Sequence, residues 1–482
     1  MGVPSSAASS SVCASRRCPA SPPPPGSGGR RADPRSHRAH DRVADSTPLY
    51  RPRHPERTDS YRIFEDHFDR YLSSYEDRFE PQHGPLRSVV RRSTDAFLEC
   101  GRLTNGFARI RCPSCGGEHL LAFSCQTRNF CPSCQAKRAA LFAEKLREEI
   151  LAPVSHRHDV FTIPRVLRGL FQRERRLLGL LSRTAYETMH RTLVAVLDDR
   201  HVVPGFVSSI QTFGAYANFH PHIHALMTEA VRDRDGRFLP IPSLDAQTLS
   251  ELFRRLLLAR LVGADRLSES FRDVLLSWVH SGFSVHACQC VSPDDPERLE
   301  HLARYLVRPP MPFSAVERTE EDRVRVLTPP HPEHGSSELL LDPLDWIQAV
   351  TEQIPDPRLH LVRYYGAYAN RSRNASRRAT APPVDGSLES EGEERPQEEP
   401  LEPHRHPTAT RASWARLLRK ILEVDPLLCP RCCVQMKIVS IIIDPAVVDQ
   451  IIRHLAHAAA PDPFEERPPP RSAGPPLAPL TP

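Results

Sequence analysis

Residues 218–226 read "NFHPHIHAL", and in them three histidines, His220, His222 and His224, alternate with Pro221 and Ile223. Successive side chains of a β-strand point to opposite faces, so a strand here projects all three imidazoles the same way. Two imidazoles at i and i+2 on a rigid strand can share one metal ion, because neutral imidazole nitrogen is a good donor to divalent cations. The competing reading is a strand whose outer face is merely polar.

The neighbouring segments show what kind of sheet the strand joins. "HRHDVFTIP", "PGFVSSIQTF" and "FSVHACQCV" are strand-like, and arginine-rich segments with helical spacing separate them. This order predicts an α+β fold: an antiparallel sheet with flanking helices, behind a small zinc-ribbon-like domain and between disordered termini. Residues 1–58, rich in Ser, Pro, Gly and Arg, read as a disordered leader. Residues 59–150 read as a cysteine-bearing domain with flanking helices, and 151–378 as the sheet domain. Residues 379–410 are an acidic, Pro-rich linker by composition, 411–460 a small C-terminal module, and 461–482 a disordered tail.

Composition excludes little. The 482 residues carry 64 Lys+Arg against 59 Asp+Glu, a formal +5, which does not by itself imply a nucleic-acid partner. No apolar run approaches the ~20 residues a membrane helix needs, so no membrane role is expected. The first residues lack the continuous apolar core of a secretory signal. Thirteen cysteines in such a chain point to metal ligands or free thiols rather than disulfides.

"CPSC" occurs at Cys112–Cys115 and again at Cys131–Cys134, with 15 residues between the pairs. Each Cys-x2-Cys turn aims two thiolates at one centre, and two turns complete a tetrahedral S4 site that suits structural Zn2+. Cys100 and Cys125 lie nearby as substitute ligands or buried thiols. Arg128, Lys137 and Arg138 surround the cluster and suggest a nucleic-acid grip. A lone "CPRCC" at Cys429, Cys432 and Cys433 has no second pair after it; it reads as a degenerate half-ribbon, the alternative being a site completed by His454 and His457.

The segment 296–308 predicts a helix capped by Asp295, with Pro296 at its first position and Pro309 at its end. Leu299, Leu302, Ala303 and Leu306 share one face. His301, Arg304, Tyr305 and Arg308 occupy the other half, so Tyr305 lies between cations that could stabilise a phenolate and hold a phosphate. The competing reading is an exposed amphipathic helix whose tyrosine edges the core.

"FHPHIHAL", followed about eighty residues later by "ARYLVRPP", resembles the HUH superfamily of single-strand DNA nucleases. More narrowly, the order of "FARIRCPSCGGEHLLAFSCQTRNFCPSCQAKR", "VFTIPRVLRGLF", "NFHPHIHAL", "RYLVRPP" and "VRYYGAYANRSR" resembles rolling-circle insertion-sequence transposases with an N-terminal zinc-binding domain. The likeness spans roughly residues 60–378. It implies an HUH nuclease core in which His222 and His224 hold Mg2+ or Mn2+. Tyr305 would then attack single-stranded DNA at transposon ends to leave a 5′-phosphotyrosine, with Arg308 stabilising charge. It also implies a bacterial, cytoplasmic, nucleoid-associated protein. Some members carry two tyrosines spaced Y-x3-Y on this helix; here the earlier position is His301, which suggests a single-tyrosine version with His301 as third ligand or proton acceptor. His220 and His286 compete for the ligand role.

Tyr364, Tyr365 and Tyr368 form a rival nucleophile set. With Arg363, Arg371 and Arg373 they read better as a single-strand grip, rings stacking on bases and guanidiniums meeting phosphates. Two other functions compete. One is a zinc-dependent nucleic-acid binder without catalysis. The other is a zinc hydrolase built on the histidines, for which no HExxH motif is present.

Overall fold

The computed structural model describes residues 55–214, 218–310, 315–327, 338–373, 429, 431–432 and 434–457. The expected linker and tail, and all but the last residues of the expected leader, lie outside the described residues.

The histidine segment lies on β5 (Phe219–Arg232), the third strand of an antiparallel sheet ordered β11-β4-β5-β3-β7. Its partners are β3 (His156–Thr162), β4 (Val203–Phe213), β7 (Ser284–Val291) and β11 (Val362–Gly366), and the short β6 (Phe238–Pro240) pairs with the far end of β5. Register fixes the faces. His222 lies opposite Thr162 and Gln211, and His224 opposite Val160 and Ser209.

Odd-numbered Ile223, Ala225 and Met227, with Phe161, Phe206 and Ile210, form the apolar face. It packs on α5 (Arg165–Arg173), α6 (Leu177–Leu197), α7 (Ala246–Gly263) and α8 (Glu269–Ser277). The histidine face is covered differently. Val207 and Leu226 pack with Ala303 and Leu306 of α9 (Pro296–Leu306), and with Ala143 of α4 (Pro132–Lys145) and Leu146 of the turn that follows it. The sheet is thus sandwiched, and the histidines lie under α9. The predicted α+β class and the antiparallel sheet with flanking helices are what the chain adopts.

The N-terminal helices are α1 (Asp59–Arg78), α2 (Glu80–His83) and α3 (Ser88–Leu98). Tyr61, Phe64, Phe68, Tyr71 and Tyr75 recur at helical spacing along α1 and are buried together with Phe97 and Phe130. This core recruits residues from far along the chain. β8 (Val316–Arg318), β9 (Val324–Leu327) and β10 (Glu338–Leu341) form a separate three-stranded sheet, followed by α10 (Pro343–Glu352). Val316, Val324, Trp346 and Ile347 pack into the α1 core, and the Tyr71 hydroxyl donates to Gln348 Oε1 at 2.6 Å. Residues 316–327 and 338–354, placed by sequence in the 151–378 domain, pack with the N-terminal core, because their apolar faces complement α1 rather than the sheet.

The C-terminal module is not separate either. β12 (Lys437–Ile442) joins β1 (Phe107–Arg111) and β2 (Glu118–Ala122) in the order β12-β1-β2, with Phe107 opposite Ile442 and Arg111 opposite Lys437. α11 (Pro445–His457) follows it. Among the described residues no helix is long and apolar enough to cross a membrane.

Candidate active site and cysteine centres

The strand alternation that defines the sheet brings His222 and His224 side by side, both nearly fully buried, with their Nε2 atoms 3.0 Å apart. His222 Nδ1 lies 2.8 Å from the main-chain oxygen of His220, which can only accept, so that nitrogen carries the proton and Nε2 is a bare lone pair. His224 Nδ1 lies 2.9 Å from His158 Nε2. Burial pushes His222 down to about 3 and His158 down to about 4, and holds His224 well below the usual imidazole range, so all three are neutral at pH 7.

Two lone pairs converging at that distance need a cation or a proton between them. Two nitrogens bound at right angles to one ion, each about 2.1 Å from it, would themselves be about 3.0 Å apart. When His224 Nε2 faces an ion, its Nδ1–H donates to His158, which then orients the ring as outer partners of metal-bound histidines commonly do. The residues therefore fit a divalent ion held by His222 and His224. Of the other ligand candidates, His301 is exposed on α9 and His286 is two strands from His224 on the same rung, whereas the His220 ring stands next to that of His222, 5.3 Å centroid to centroid.

Tyr305 lies half-buried against this pair. Its ring meets His224 edge-to-face at 5.3 Å and His158 at 5.9 Å. The Arg308 guanidinium stands 4.7 Å from the Tyr305 ring centroid and 5.4 Å from that of Phe213. The helix that carries Tyr305, and ends two residues before Arg308, is capped by Asp295, whose side chain accepts from the Arg298 amide at 3.0 Å. Its last turn is held by side chains from other elements. Ser209 donates to Leu306 O; Gln211 Nε2 donates to Tyr305 O at 3.2 Å and Leu306 O at 3.3 Å; Gln135 Nε2 donates to Val307 O at 2.6 Å. Gln211 Oε1 also accepts from Arg308 Nε at 3.3 Å.

The cysteines assemble differently from the expected Cys112, Cys115, Cys131, Cys134 quartet. Cys131 and Cys134 meet Cys100 and Cys125, with sulfur–sulfur distances of 3.7 Å for Cys131–Cys100, 3.8 Å for Cys100–Cys134 and 3.5 Å for Cys125–Cys134. A tetrahedral zinc site with Zn–S bonds of about 2.3 Å has edges of about 3.8 Å, so the thiols fit Zn2+. Hydrogen bonds from Cys100, then Cys125 and Cys131, hold the Cys134 thiol far below the ordinary thiol range. Cys112 and Cys115 instead lie with Cys429 and Cys432. The reason is tertiary: Cys100 ends the α3 turn beneath the α4 N-terminus, whereas Cys112 leaves β1 beside β12.

Residues 63–163 match the family described as a transposase zinc-binding domain, and residues 205–376 match the family described as a putative transposase. The chain belongs to the insertion-sequence transposases that carry a zinc-binding domain. This transposase is 28% identical over 337 residues to the putative transposase y4qJ of Sinorhizobium fredii, a match covering 64% of this chain and 80% of that protein. It is 26% identical over 306 residues to the transposase for insertion sequence element IS801 of Pseudomonas savastanoi pv. phaseolicola, covering 60% of this chain and 73% of that one. No solved structure matches it. The Cys100, Cys125, Cys131, Cys134 quartet lies wholly inside the zinc-binding match.

Several residues of the expected DNA grip have internal duties in the transposase. Arg128 donates to the carbonyls of Leu359 and Asp356 at 2.6 and 3.0 Å, and burial lowers its pKa. Tyr368 is buried, its hydroxyl 2.6 Å from His156 Nε2 and accepting from the Ala152 amide at 3.0 Å. Tyr365 stacks on Tyr186 at 5.0 Å, with its hydroxyl 2.9 Å from Ser182 Oγ. Arg373 lies over the Tyr364 ring at 5.3 Å and donates to Tyr368 O, while Arg363 Nε donates to His360 O. Tyr365 and Tyr368 are therefore packing residues, on opposite faces of the sheet from each other, and neither touches His222 or His224. Arg138 and Arg371 are exposed and Lys137 is half-buried.

Sequence reasoning missed His158, Ser209, Gln211 and Gln135. The alternation of His156 and His158 in "HRHDVF" carried the signal for His158. The glutamines have no local signature, since only the approach of α9 gives them partners.

Proposed function

We propose that this transposase cuts and rejoins single-stranded DNA at the ends of its element, with Tyr305 as nucleophile. One observation carries the reading: the Tyr305 ring packs edge-on to His224, whose Nε2 faces that of His222 across 3.0 Å. A divalent ion such as Mg2+ or Mn2+, bound by His222 and His224, would supply Lewis-acid polarisation of the scissile phosphate.

The chain's own residues do the rest. The phenolic oxygen of Tyr305 gives up its proton and bonds to phosphorus. The bond from phosphorus to the 3′ oxygen breaks, and that oxygen leaves as a 3′-OH once protonated. The strand's 5′ phosphate stays esterified to tyrosine. Attack by another 3′-OH reverses the sequence and rejoins the DNA without a nucleotide cofactor, because the ester retains the phosphodiester energy. Arg308, against the Tyr305 face, stabilises the phenolate and the charge developing on phosphate. The clustered His158, His222 and His224 rings are neutral and leave positive charge to Arg308, Arg168 and the ion.

A cleft of about 860 Å³ opens beside the start of β5, lined by Arg165, Arg168, Asn218 and Phe219 on the sheet side and Arg78 and His83 on the helical side. Its guanidiniums and the Phe219 ring suit a single strand approaching His222. The test is a denaturation-resistant protein–DNA adduct formed on single-stranded oligonucleotides bearing the element's ends with Mn2+. Wild type forms it and Tyr305→Phe does not. An adduct that persists in Tyr305→Phe overturns the assignment, and wild type that binds these ends but never forms an adduct favours a DNA binder without catalysis.

A further inference from the structure

We infer that Cys112, Cys115, Cys429 and Cys432 form a second zinc centre, which staples the C-terminal end of the chain to its N-terminal domain. Antiparallel pairing of β1 with β12 sets Arg111 opposite Lys437, so the chain leaving β1 and the chain entering β12 lie at one end of the sheet. Each contributes a Cys-x2-Cys turn there. Their sulfurs all lie within 4.8 Å of one another, with Cys112–Cys432 at 3.3 Å and Cys115–Cys429 at 3.5 Å. These separations approach the edge of about 3.8 Å of a zinc tetrathiolate and far exceed the ~2.05 Å of a disulfide.

The turns are built as metal knuckles. In the first, Gly116 at φ 72° donates to Cys112 O at 3.1 Å, and the Cys112 amide donates to Gly117 O at 2.8 Å. The amides of Cys115 and Ser114 point to the Cys112 sulfur. In the second, the Cys429 amide donates to Val434 O at 2.9 Å, and the amides of Arg431 and Cys432 point to the Cys429 sulfur. Such N–H groups stabilise thiolates, which zinc requires. Ile110, Leu121 and Met436 cover the apolar side of the cluster. Gly106, at φ 95°, lets β12 approach: a Cβ there would sit 2.8 Å from the Ile442 carbonyl oxygen.

The centre joins cysteines more than three hundred positions apart in sequence, and two of its four ligands lie far beyond residue 163, where the zinc-binding family match ends. A clip closing so long a loop removes much of the freedom of the intervening chain in the unfolded state. β12 is an edge strand with exposed Val439 and Ile441, and the metal centre adds its four bonds to the pairing of β12 with β1.

The test uses the full chain purified with zinc and carrying His222→Ala/His224→Ala, so that the histidine pair holds no zinc; wild type here means wild-type cysteines. Metal analysis is expected to give two zinc ions per wild-type chain and one for Cys429→Ser/Cys432→Ser. Cys125→Ser/Cys134→Ser is also expected to keep one, the ion of the second centre. A protease site inserted near residue 400 provides a readout that needs no cysteine change. After cleavage the C-terminal fragment should co-elute with the rest in zinc and separate when a chelator is added. One zinc per wild-type chain overturns the inference. So does a Cys429→Ser/Cys432→Ser protein that keeps two, or a cleaved fragment that separates while zinc is present.

Discussion

Gln211→Ala should slow DNA cleavage without weakening DNA binding. Gln211 touches Tyr305 only through the backbone, donating to Tyr305 O at 3.2 Å and Leu306 O at 3.3 Å, and it accepts from Arg308 Nε at 3.3 Å. The substitution removes these bonds. Ser209 still holds Leu306 O and the Arg308 amide still reaches Tyr305 O, so the loss is about 1–3 kcal/mol rather than the sum of three independent bonds. Part of that loss appears as misplacement of Tyr305, the proposed nucleophile, where an error of about 1 Å costs on the order of 100-fold. Single-turnover adduct formation should therefore fall about 10- to 100-fold. Kd for the same oligonucleotide, read by fluorescence anisotropy, should stay within about 2-fold, and Tm should drop only a few degrees. Gln135→Ala should show the same split, because its 2.6 Å bond to Val307 O reaches α9 from the helix that begins between Cys131 and Cys134. Full-rate adduct formation by Gln211→Ala would refute the view that these side chains aim Tyr305.

His158→Phe keeps ring volume but removes the acceptor for His224 Nδ1, so affinity for the divalent ion, measured by Mn2+ titration of cleavage, should weaken about 10- to 100-fold while folding persists. Tyr368→Phe leaves His156 Nε2 and the Ala152 amide without their hydroxyl partner, and should cost about 1–3 kcal/mol in urea unfolding while still allowing the adduct. Acid should destabilise the fold through His156, which burial holds down at about 4 against 6.5 in the unfolded chain. Its neutral form is shared by both states above pH 6.5; below that the unfolded chain takes up a proton the folded one resists, so up to about 3 kcal/mol is lost between pH 6.5 and 4, visible as a falling Tm.

What the sequence determined by itself is what depends on near neighbours. A two-residue period placed His222 and His224 on one face of a strand. A capped, proline-bounded segment placed Tyr305 on a helix beside Arg308. Cys-x2-Cys turns marked thiolate pairs. Each follows from backbone geometry over a few residues, and each is present in the fold. Tertiary structure decided which of these local pieces meet. Cys131–Cys134 joins Cys100 and Cys125 rather than Cys112–Cys115, because pairing of β1 with β12 carries the latter to Cys429 and Cys432. Arg128 and Tyr368 look like DNA contacts by composition but spend their polar atoms inside, since burial depends on what packs above a residue and not on its neighbours in the chain. The same holds for Gln211 and Gln135: a glutamine becomes a positioning group only when a helix end, with its open carbonyls, is laid against it.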